Sequence, residues 1–170
     1  MQKYLTRLLF INMLMLLWVT PVVAEVKVEV GDPAPAFLAV TLDGKRVSLY
    51  QNYFGQKPVL LVFSATWCPN CWREIPLLNQ LHSELGDRFA ILGVNLEIND
   101  SVEKVRAYNK KHGITYPVIF DLGSRIMSAY NVFGTPTQII VATNGTILYR
   151  GAKTPSIADI KAHWAELTVK

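Results

Sequence analysis

Residues 58–63 read PVLLVF, a run without a single polar side chain, and both cysteines of the chain follow within eight residues of its end. A short apolar run that does not alternate with polar residues is typical of a central strand covered on both faces. Beyond Cys68, apolar residues recur at helical spacing from Pro69 to Leu85, where Gly86 ends the pattern. The sequence therefore predicts that Cys68 and Cys71 lie where a buried strand passes into a helix.

The rest of the chain alternates between predicted strands and predicted helices, and Pro76 is expected to kink the helix in which it lies. The dipeptides Asp43-Gly44 and Asn144-Gly145 each separate two alternating runs and predict two β-hairpins. This order predicts an α/β fold, a central mixed β-sheet flanked by helices. The other predicted elements are a strand at 89–96, a helix from the capping box of Asp100 to Glu103 to near Gly113, a strand at 117–120, a short helix from Ser124 to Tyr130, hairpin strands at 137–142 and 146–150, and a last amphipathic helix from Ser156 to Leu167.

The first 24 residues differ from the rest in composition. Lys3 and Arg7 form a small positive start, and an apolar run follows that ends shortly before Ala24. This layout is typical of a secretory signal peptide cleaved after Ala24, which leaves residues 25–170 as one domain. An uncleaved membrane anchor and a buried N-terminal helix stay open as alternatives, since the residues between the run and the cleavage position are mostly apolar too.

Composition and charge exclude two classes of protein. Charged residues make up 18% and hydrophobic residues 51% of the chain, which is a globular and not a disordered composition. Removal of residues 1–24 lowers the formal net charge from +4 to +2, because that segment holds two basic residues and no acid. Lys110-Lys111 is the densest basic spot that is left, and it is too small for a nucleic-acid footprint. We therefore expect no nucleic-acid partner.

The cysteine pair allows three readings: a structural disulfide, a metal site and a redox pair. A bridge between Cys68 and Cys71 closes a loop of four residues, so it removes little chain entropy and stabilises the fold poorly. Zinc needs three or four ligands, and none of the three histidines is spaced as a partner for the pair. Outside the cytosol a thiol pair can stay oxidised. A redox-active pair that needs no metal and no organic cofactor is the favoured reading, and the other two stay open.

The predicted position of the pair indicates how it would react. Cys68 lies at the helix start, where unpaired N–H groups and the positive end of the helix stabilise a thiolate. Cys71, three residues on, shares its helical face and is within disulfide reach. Cys68 is therefore the predicted nucleophile that attacks a partner disulfide, and Cys71 is the resolving thiol that attacks the mixed disulfide.

The stretch Trp67-Cys68-Pro69-Asn70-Cys71 after a buried strand resembles the thioredoxin superfamily. Further segments make the chain similar to the exported TlpA/ResA/CcmG-like (DsbE-type) branch of thiol–disulfide oxidoreductases. The similarity covers about 31–167 and implies a thioredoxin fold with an N-terminal β-hairpin and a central insert at about 97–116. The segments that carry it are GDPAPAF at 31–37, TLDGKRVSL at 41–49, ATWCPNC at 65–71, Glu74 before Ile75-Pro76, GVN at 93–95 and GTPT at 134–137.

The resemblance implies roles for two more residues. Pro136, in Thr135-Pro136, matches the cis-proline loop, which faces the cysteines and helps to bind the partner chain. Glu74 matches an active-site acid that tunes thiol ionisation and proton transfer, and a carboxylate one turn beyond Cys71 can do either. The alternatives are an ordinary proline that opens a strand and a solvated glutamate on a helix face.

Some positions depart from the family pattern. Val62 stands where thioredoxins carry a buried Asp and where the related branch often has Asn, so no buried base is expected there and Glu74 is the better candidate. Trp72 stands where the family often has a basic residue, and it places a large aromatic side chain beside the site. Trp67 is expected to pack as a wall of the site. Glu97 aligns with a second acidic residue of ResA-like proteins.

The resemblance implies an extracytoplasmic, for instance periplasmic, monomer that reduces protein disulfides. Its substrate would be an apocytochrome c, as in cytochrome c biogenesis, or a copper-site protein, and a membrane thiol donor would reduce it in turn. Three alternatives stay open: an oxidase or isomerase of exported proteins, a peroxiredoxin-like peroxidase, and a non-enzymatic chaperone or Cu(I) module. GDPAPAF also resembles a peroxidase N-terminus, but the proline of the P-x-x-x-T/S-x-x-C setting is absent before Cys68.

Overall fold

The computed structural model describes residues 28–169, so the expected signal peptide at 1–24 lies outside the described residues. Within 28–169, no helix is both long enough and apolar enough to cross a membrane. The strands are β1 (Leu38–Val40), β2 (Arg46–Ser48), β3 (Val59–Ser64), β4 (Ala90–Leu96), β5 (Val118–Asp121), β6 (Thr137–Val141) and β7 (Ile147–Gly151). The α-helices are α1 (Leu49–Asn52), α2 (Pro69–Leu85), α3 (Val102–His112), α4 (Arg125–Ala129), α5 (Ile157–Ala162) and α6 (Trp164–Leu167), and a 3-10 turn at Leu122–Ser124 precedes α4.

The α/β prediction is confirmed by the sheet topology. Five strands form one mixed sheet in the order β5-β4-β3-β6-β7, and β1 and β2 form a separate antiparallel hairpin. β3 is the central strand, since it pairs in parallel with β4 and antiparallel with β6. The carboxyl ends of β3 and β4 and the start of β6 therefore meet at one edge of the sheet.

Each face of the sheet has its own apolar core, because every residue of β3 from Val59 to Phe63 is buried. Leu61 and Phe63 point to the side covered by α1 and α4, where Tyr130 is fully buried. Leu60 and Val62 point to the other side, against apolar residues of α2, α3, α5 and α6. The apolar run at 58–63 thus faces helices on both sides, as the absence of alternation predicts.

The predicted boundaries hold for several elements. α2 spans Pro69–Leu85 with Pro69 in its first turn and Gly86 as its C-cap. Pro76 lies inside this helix, and the kink expected there stays a prediction. The hairpins at Asp43-Gly44 and Asn144-Gly145 form as β1–β2 and β6–β7, and α3 provides the helical part of the predicted insert.

Two local predictions are wrong, and one short helix was missed. The N-cap of α3 is Ser101 and not Asp100, because the Ser101 hydroxyl accepts from the Lys104 N–H at 3.3 Å, whereas the Asp100 carboxylate is bonded elsewhere. The C-terminal helix is broken at His163, where the backbone leaves helical angles and the Leu167 carbonyl accepts from the Thr143 N–H. The short helix α1 was not predicted at all, although Ser48 caps it.

Candidate active site

Cys68 and Cys71 form a disulfide at the start of α2, with their Cα atoms 5.4 Å apart. Cys68 is the N-cap of this helix, and its sulfur accepts from the Cys71 N–H at 3.2 Å. The same N–H also donates to the Cys68 carbonyl at 3.2 Å, and the sulfur lies at the positive end of a helix of 17 residues. This placement is the one that the sequence predicts.

Both cysteines are buried in the oxidised state. Cys68 is 3% and Cys71 5% exposed, and they pack with Ala65 in a small cluster of their own. The Cys68 N–H donates to the Ala65 carbonyl at 3.2 Å, so residues 65–68 form a tight turn between β3 and α2. A thiol that attacks this disulfide must therefore approach it across the residues that surround it.

Two exposed tryptophans flank the pair along the chain. Trp67 is 52% exposed, and its indole N–H donates to the Ile98 carbonyl at 2.7 Å, which fixes the ring of the residue before Cys68. Trp72 is also exposed, and the Arg73 guanidinium lies over its ring, 5.6 Å from the centroid. Asn70 is exposed and accepts from Arg73 at 3.2 Å. Pro69 contributes the exposed first position of the helix.

The predicted proline loop lies at the same edge of the sheet as the pair. The Thr135–Pro136 peptide bond is cis. Thr137, the next residue, pairs with Phe63, one residue before the end of β3. The loop also carries Phe133, whose side chain is 92% exposed. The partner-binding role of Thr135 and Pro136 stays a prediction.

Glu74 is half-buried one turn beyond Cys71, and it is not simply solvated. Its carboxylate accepts from the Thr154 N–H at 2.9 Å. The Thr154 hydroxyl in turn accepts from the Gln138 side-chain amide at 2.5 Å. Burial raises the pKa of Tyr149, and the negative charge of Glu74 adds to this effect.

No acid replaces the missing buried Asp at Val62, which is 3% exposed within the apolar core. Its partner across β3 and β6 is Gln138, which is fully buried. Gln138 has an amide oxygen without a hydrogen-bond partner among the described residues. The polar group nearest in register to the position of the missing Asp is thus a neutral amide.

A second set of polar contacts holds the turn before Cys68. The Asp100 carboxylate accepts from the Thr66 N–H at 2.8 Å, from the Thr66 hydroxyl, and from the Asn95 side-chain amide at 3.0 Å. Glu97 does not join this set, since its carboxylate accepts from the Gly123 N–H at 2.6 Å.

Sequence reasoning missed five polar residues of the site: Thr66, Asn95, Asp100, Gln138 and Thr154. Thr66 lies 34 residues from Asp100 and Thr154 lies 80 residues from Glu74. No local sequence pattern therefore reveals these hydrogen bonds. The available signal was weaker: Asn95 is a polar residue inside an otherwise apolar strand, and Gln138 precedes the apolar run of β6.

The described residues contain no cluster of three or more His, Cys, Asp or Glu side chains that could hold a metal ion. The chemistry open to the pair itself is thiol–disulfide exchange, in which both electrons are carried by the two sulfurs.

Comparisons with known proteins agree with this geometry. The profile of the AhpC/TSA family matches residues 30–150. The thioredoxin-like protein YneN of Bacillus subtilis (strain 168) is 39% identical over 124 residues, 72% of this chain and 71% of the relative. The thiol–disulfide oxidoreductase ResA of Geobacillus kaustophilus (strain HTA426) is 36% identical over 138 residues, 80% of this chain and 76% of the relative. A crystal structure of a thiol:disulfide interchange protein of the thioredoxin family from Chlorobium tepidum TLS superposes with a TM-score of 0.68 at 30% identity, over 81% of this chain and 96% of that one.

Proposed function

The chain belongs to the AhpC/TSA family, and from that premise we propose that it is an exported thiol–disulfide oxidoreductase that reduces disulfides in other proteins. The observation that carries the proposal is the Cys68 sulfur at the N-cap of α2, bonded to the Cys71 N–H and joined to Cys71 in a disulfide. ResA-type relatives and thioredoxin-fold neighbours named for disulfide exchange support the same chemistry.

The exchange runs in two steps that balance in electrons. In the reduced protein the Cys68 thiolate attacks one sulfur of a substrate disulfide, and the other substrate sulfur leaves as a thiolate. Cys71 then loses its proton and attacks Cys68, so the first substrate sulfur leaves too. The substrate gains two electrons and ends as a dithiol, and the protein ends as the Cys68–Cys71 disulfide.

Glu74 fits the proton transfer that the second step needs. Cys71 must lose its proton in a buried position, and the Glu74 carboxylate lies one helical turn away, held by the Thr154 N–H. A fixed carboxylate can accept that proton, and its charge also opposes a second negative charge on the sulfurs. The second effect, the repulsion between charges, makes the thiols ionise at a higher pH than they would without Glu74.

The substrate is expected to reach the pair across the exposed aromatic surface and the loop at Pro136. We propose a protein with an accessible disulfide, such as an apocytochrome c or a copper-site protein, and a membrane thiol donor that reduces the pair again. Export by residues 1–24 and a monomeric state are parts of the same proposal.

The reduction potential of the pair tests the direction of electron flow. It is measured in the full-length chain by equilibration with a dithiol buffer and thiol trapping. A value of about −270 mV supports a reductant. A value of about −120 mV identifies an oxidant of exported proteins and contradicts the proposal. Absence of a reversible two-electron couple would reject both directions.

A further inference from the structure

The turn that presents Cys68 is bonded to the segment that follows β4. The Thr66 N–H donates to the Asp100 carboxylate at 2.8 Å, and the Thr66 hydroxyl donates to the other oxygen of the same carboxylate. The Trp67 indole donates to the Ile98 carbonyl at 2.7 Å. The two residues immediately before Cys68 are thus both held by residues 98–100.

Asp100 is itself held in place. The side-chain amide of Asn95, which is 3% exposed, donates to the Asp100 carboxylate at 3.0 Å. Asn95 pairs with Ser64 at the end of β3, so its amide is fixed by the sheet. The helix cap is Ser101, so capping does not explain why a half-buried carboxylate stands at position 100.

The Asp100 charge lies close to the reactive sulfur. Residues 65–68 form a turn, and a turn brings its ends within about 7 Å of each other. The carboxylate is bonded to Thr66, two residues before Cys68 in this turn, so the distance from its charge to the sulfur is on the order of the screening length, about 10 Å at 0.1 M salt. It also lies at the end of α2 whose positive field stabilises a thiolate, and it opposes that field.

The other charged groups described near the pair are not bonded to the turn. The Glu97 carboxylate is bonded to Gly123, and the Lys104 ammonium to the Asn99 carbonyl. On α2, Arg73 lies over Trp72 and Glu74 is bonded to Thr154. Asp100 is the acid bonded directly to the turn that presents Cys68.

We propose that Asp100 is a positioning residue for the exchange: it fixes the turn that presents Cys68, and its negative charge disfavours the Cys68 thiolate and keeps the pair reducing. The inference rests on the proposed function. A pair whose thiolate is stabilised favours its reduced form and acts as an oxidant. Asp100 acts in the opposite sense and makes Cys68 a stronger nucleophile and a better electron donor.

The test is Asp100→Asn in the full-length chain, which keeps nearly the same shape and removes the charge. The matched control is Glu103→Gln, which removes one charge from an exposed residue in the first turn of α3 that is bonded to Ser101 and not to the turn. Alkylation of Cys68 in the reduced protein is followed against pH. We expect Asp100→Asn to lower the apparent pKa of the Cys68 thiol by roughly half a unit, about a threefold gain in thiolate below that pKa, and Glu103→Gln to change it much less.

The reduction potential gives a second readout. Measured above the Cys68 pKa, where the reduced protein holds a thiolate, the equilibrium of Asp100→Asn with a dithiol buffer should shift about threefold toward the reduced form. Asp100→Glu, which keeps the charge, should stay closer to the wild type than Asp100→Asn in both measurements. If Asp100→Asn does not fold, Asp100→Ser, which also removes the charge and keeps a polar side chain, should lower the pKa in the same direction.

Equal shifts in Asp100→Asn and Glu103→Gln would overturn the inference, and so would an unchanged or raised Cys68 pKa in Asp100→Asn or Asp100→Ser. Neither result affects the proposed function, which fails only if the wild type lacks a reversible couple or is an oxidant. In that case the alkylation series still decides the role of Asp100.

Discussion

Cys68 and Cys71 are almost equally buried, yet their positions on α2 predict different tasks for them. Cys68 caps the helix and Cys71 lies within its first turn. We expect Cys71→Ser to accumulate a mixed disulfide between Cys68 and a substrate protein, because no thiol is left to release it. Cys68→Ser should lose exchange down to the background rate and trap nothing. Non-reducing gels of each reduced variant mixed with a disulfide substrate check this, and trapping by Cys68→Ser would contradict the assignment of the nucleophile.

Glu74 is expected to act through its charge. Glu74→Gln removes a carboxylate that opposes negative charge on the neighbouring sulfurs, so the thiol pKa values should fall by up to about one unit. Glu84→Gln, at an exposed position of the same helix where the carboxylate accepts from Gln80, should leave them within error. The pH dependence of thiol alkylation measures both. A shift of the same size in the two variants would show that Glu74 has no special role.

The sequence was sufficient for the residues of the site that share one local pattern. Cys68 and Cys71 lie within a single helix start, where the helical spacing predicted their common face, and the resemblance to ResA-like proteins added Glu74 one turn further on. Gln138 and Asp100 could not be found in this way. Their importance arises from hydrogen bonds to Thr154 and Thr66, and these contacts exist only once the strands are paired.

At the scale of elements, prediction succeeded where the local sequence pattern and the tertiary packing favour the same structure. β3 has no polar residue among its buried positions, and α2 ends at a glycine, so burial and chain pattern agree. Prediction failed where a competing contact decided the outcome. The break at His163 has no glycine or proline to mark it, and a hydrogen bond from Thr143 to Leu167 accompanies it.

The corrected cap of α3 gives a prediction for stability. Ser101→Ala removes the side chain that accepts from the Lys104 N–H, and loss of such a cap costs about 1 kcal/mol. Urea unfolding of the oxidised protein should show this decrease in the free energy of unfolding, with an unchanged reduction potential. Ser83→Ala, at an exposed position inside α2, should stay within about 0.5 kcal/mol of the wild type. A Ser101→Ala variant as stable as Ser83→Ala would argue against the cap.

At the scale of the whole molecule, two buried tyrosines link stability to pH. Burial raises the pKa of Tyr116 and Tyr130 well above the ordinary value of 10.0. The folded protein therefore holds these protons more tightly than the unfolded chain does. Their contribution to stability is complete below about pH 10 and is lost as the pH rises further.

We expect the Tm to stay nearly constant up to about pH 9 and to fall above about pH 10. The side chain at position 116 cannot ionise in Tyr116→Phe, so the Tm of this variant should fall less steeply with pH than that of the wild type. Tyr50→Phe, which changes an exposed ring, should follow the wild type. Thermal unfolding monitored by circular dichroism across this range compares the three proteins, and parallel curves for Tyr116→Phe and the wild type would contradict the prediction.

The reactive site is assembled from the turn at 65–68, the segment at 95–100, the loop at 134–137 and Thr154, and the pairing of β3 with β4 and β6 brings these pieces together. Contacts so distant along the chain form slowly, after much of the loop-closure entropy has been lost. A newly made chain therefore carries two ordinary thiols, with neither a helix end nor neighbouring carboxylates to distinguish them from any other cysteine. We therefore expect competence for exchange to appear only once the sheet has formed. Until then, the unfolded chain has no activated thiol that could react with other proteins.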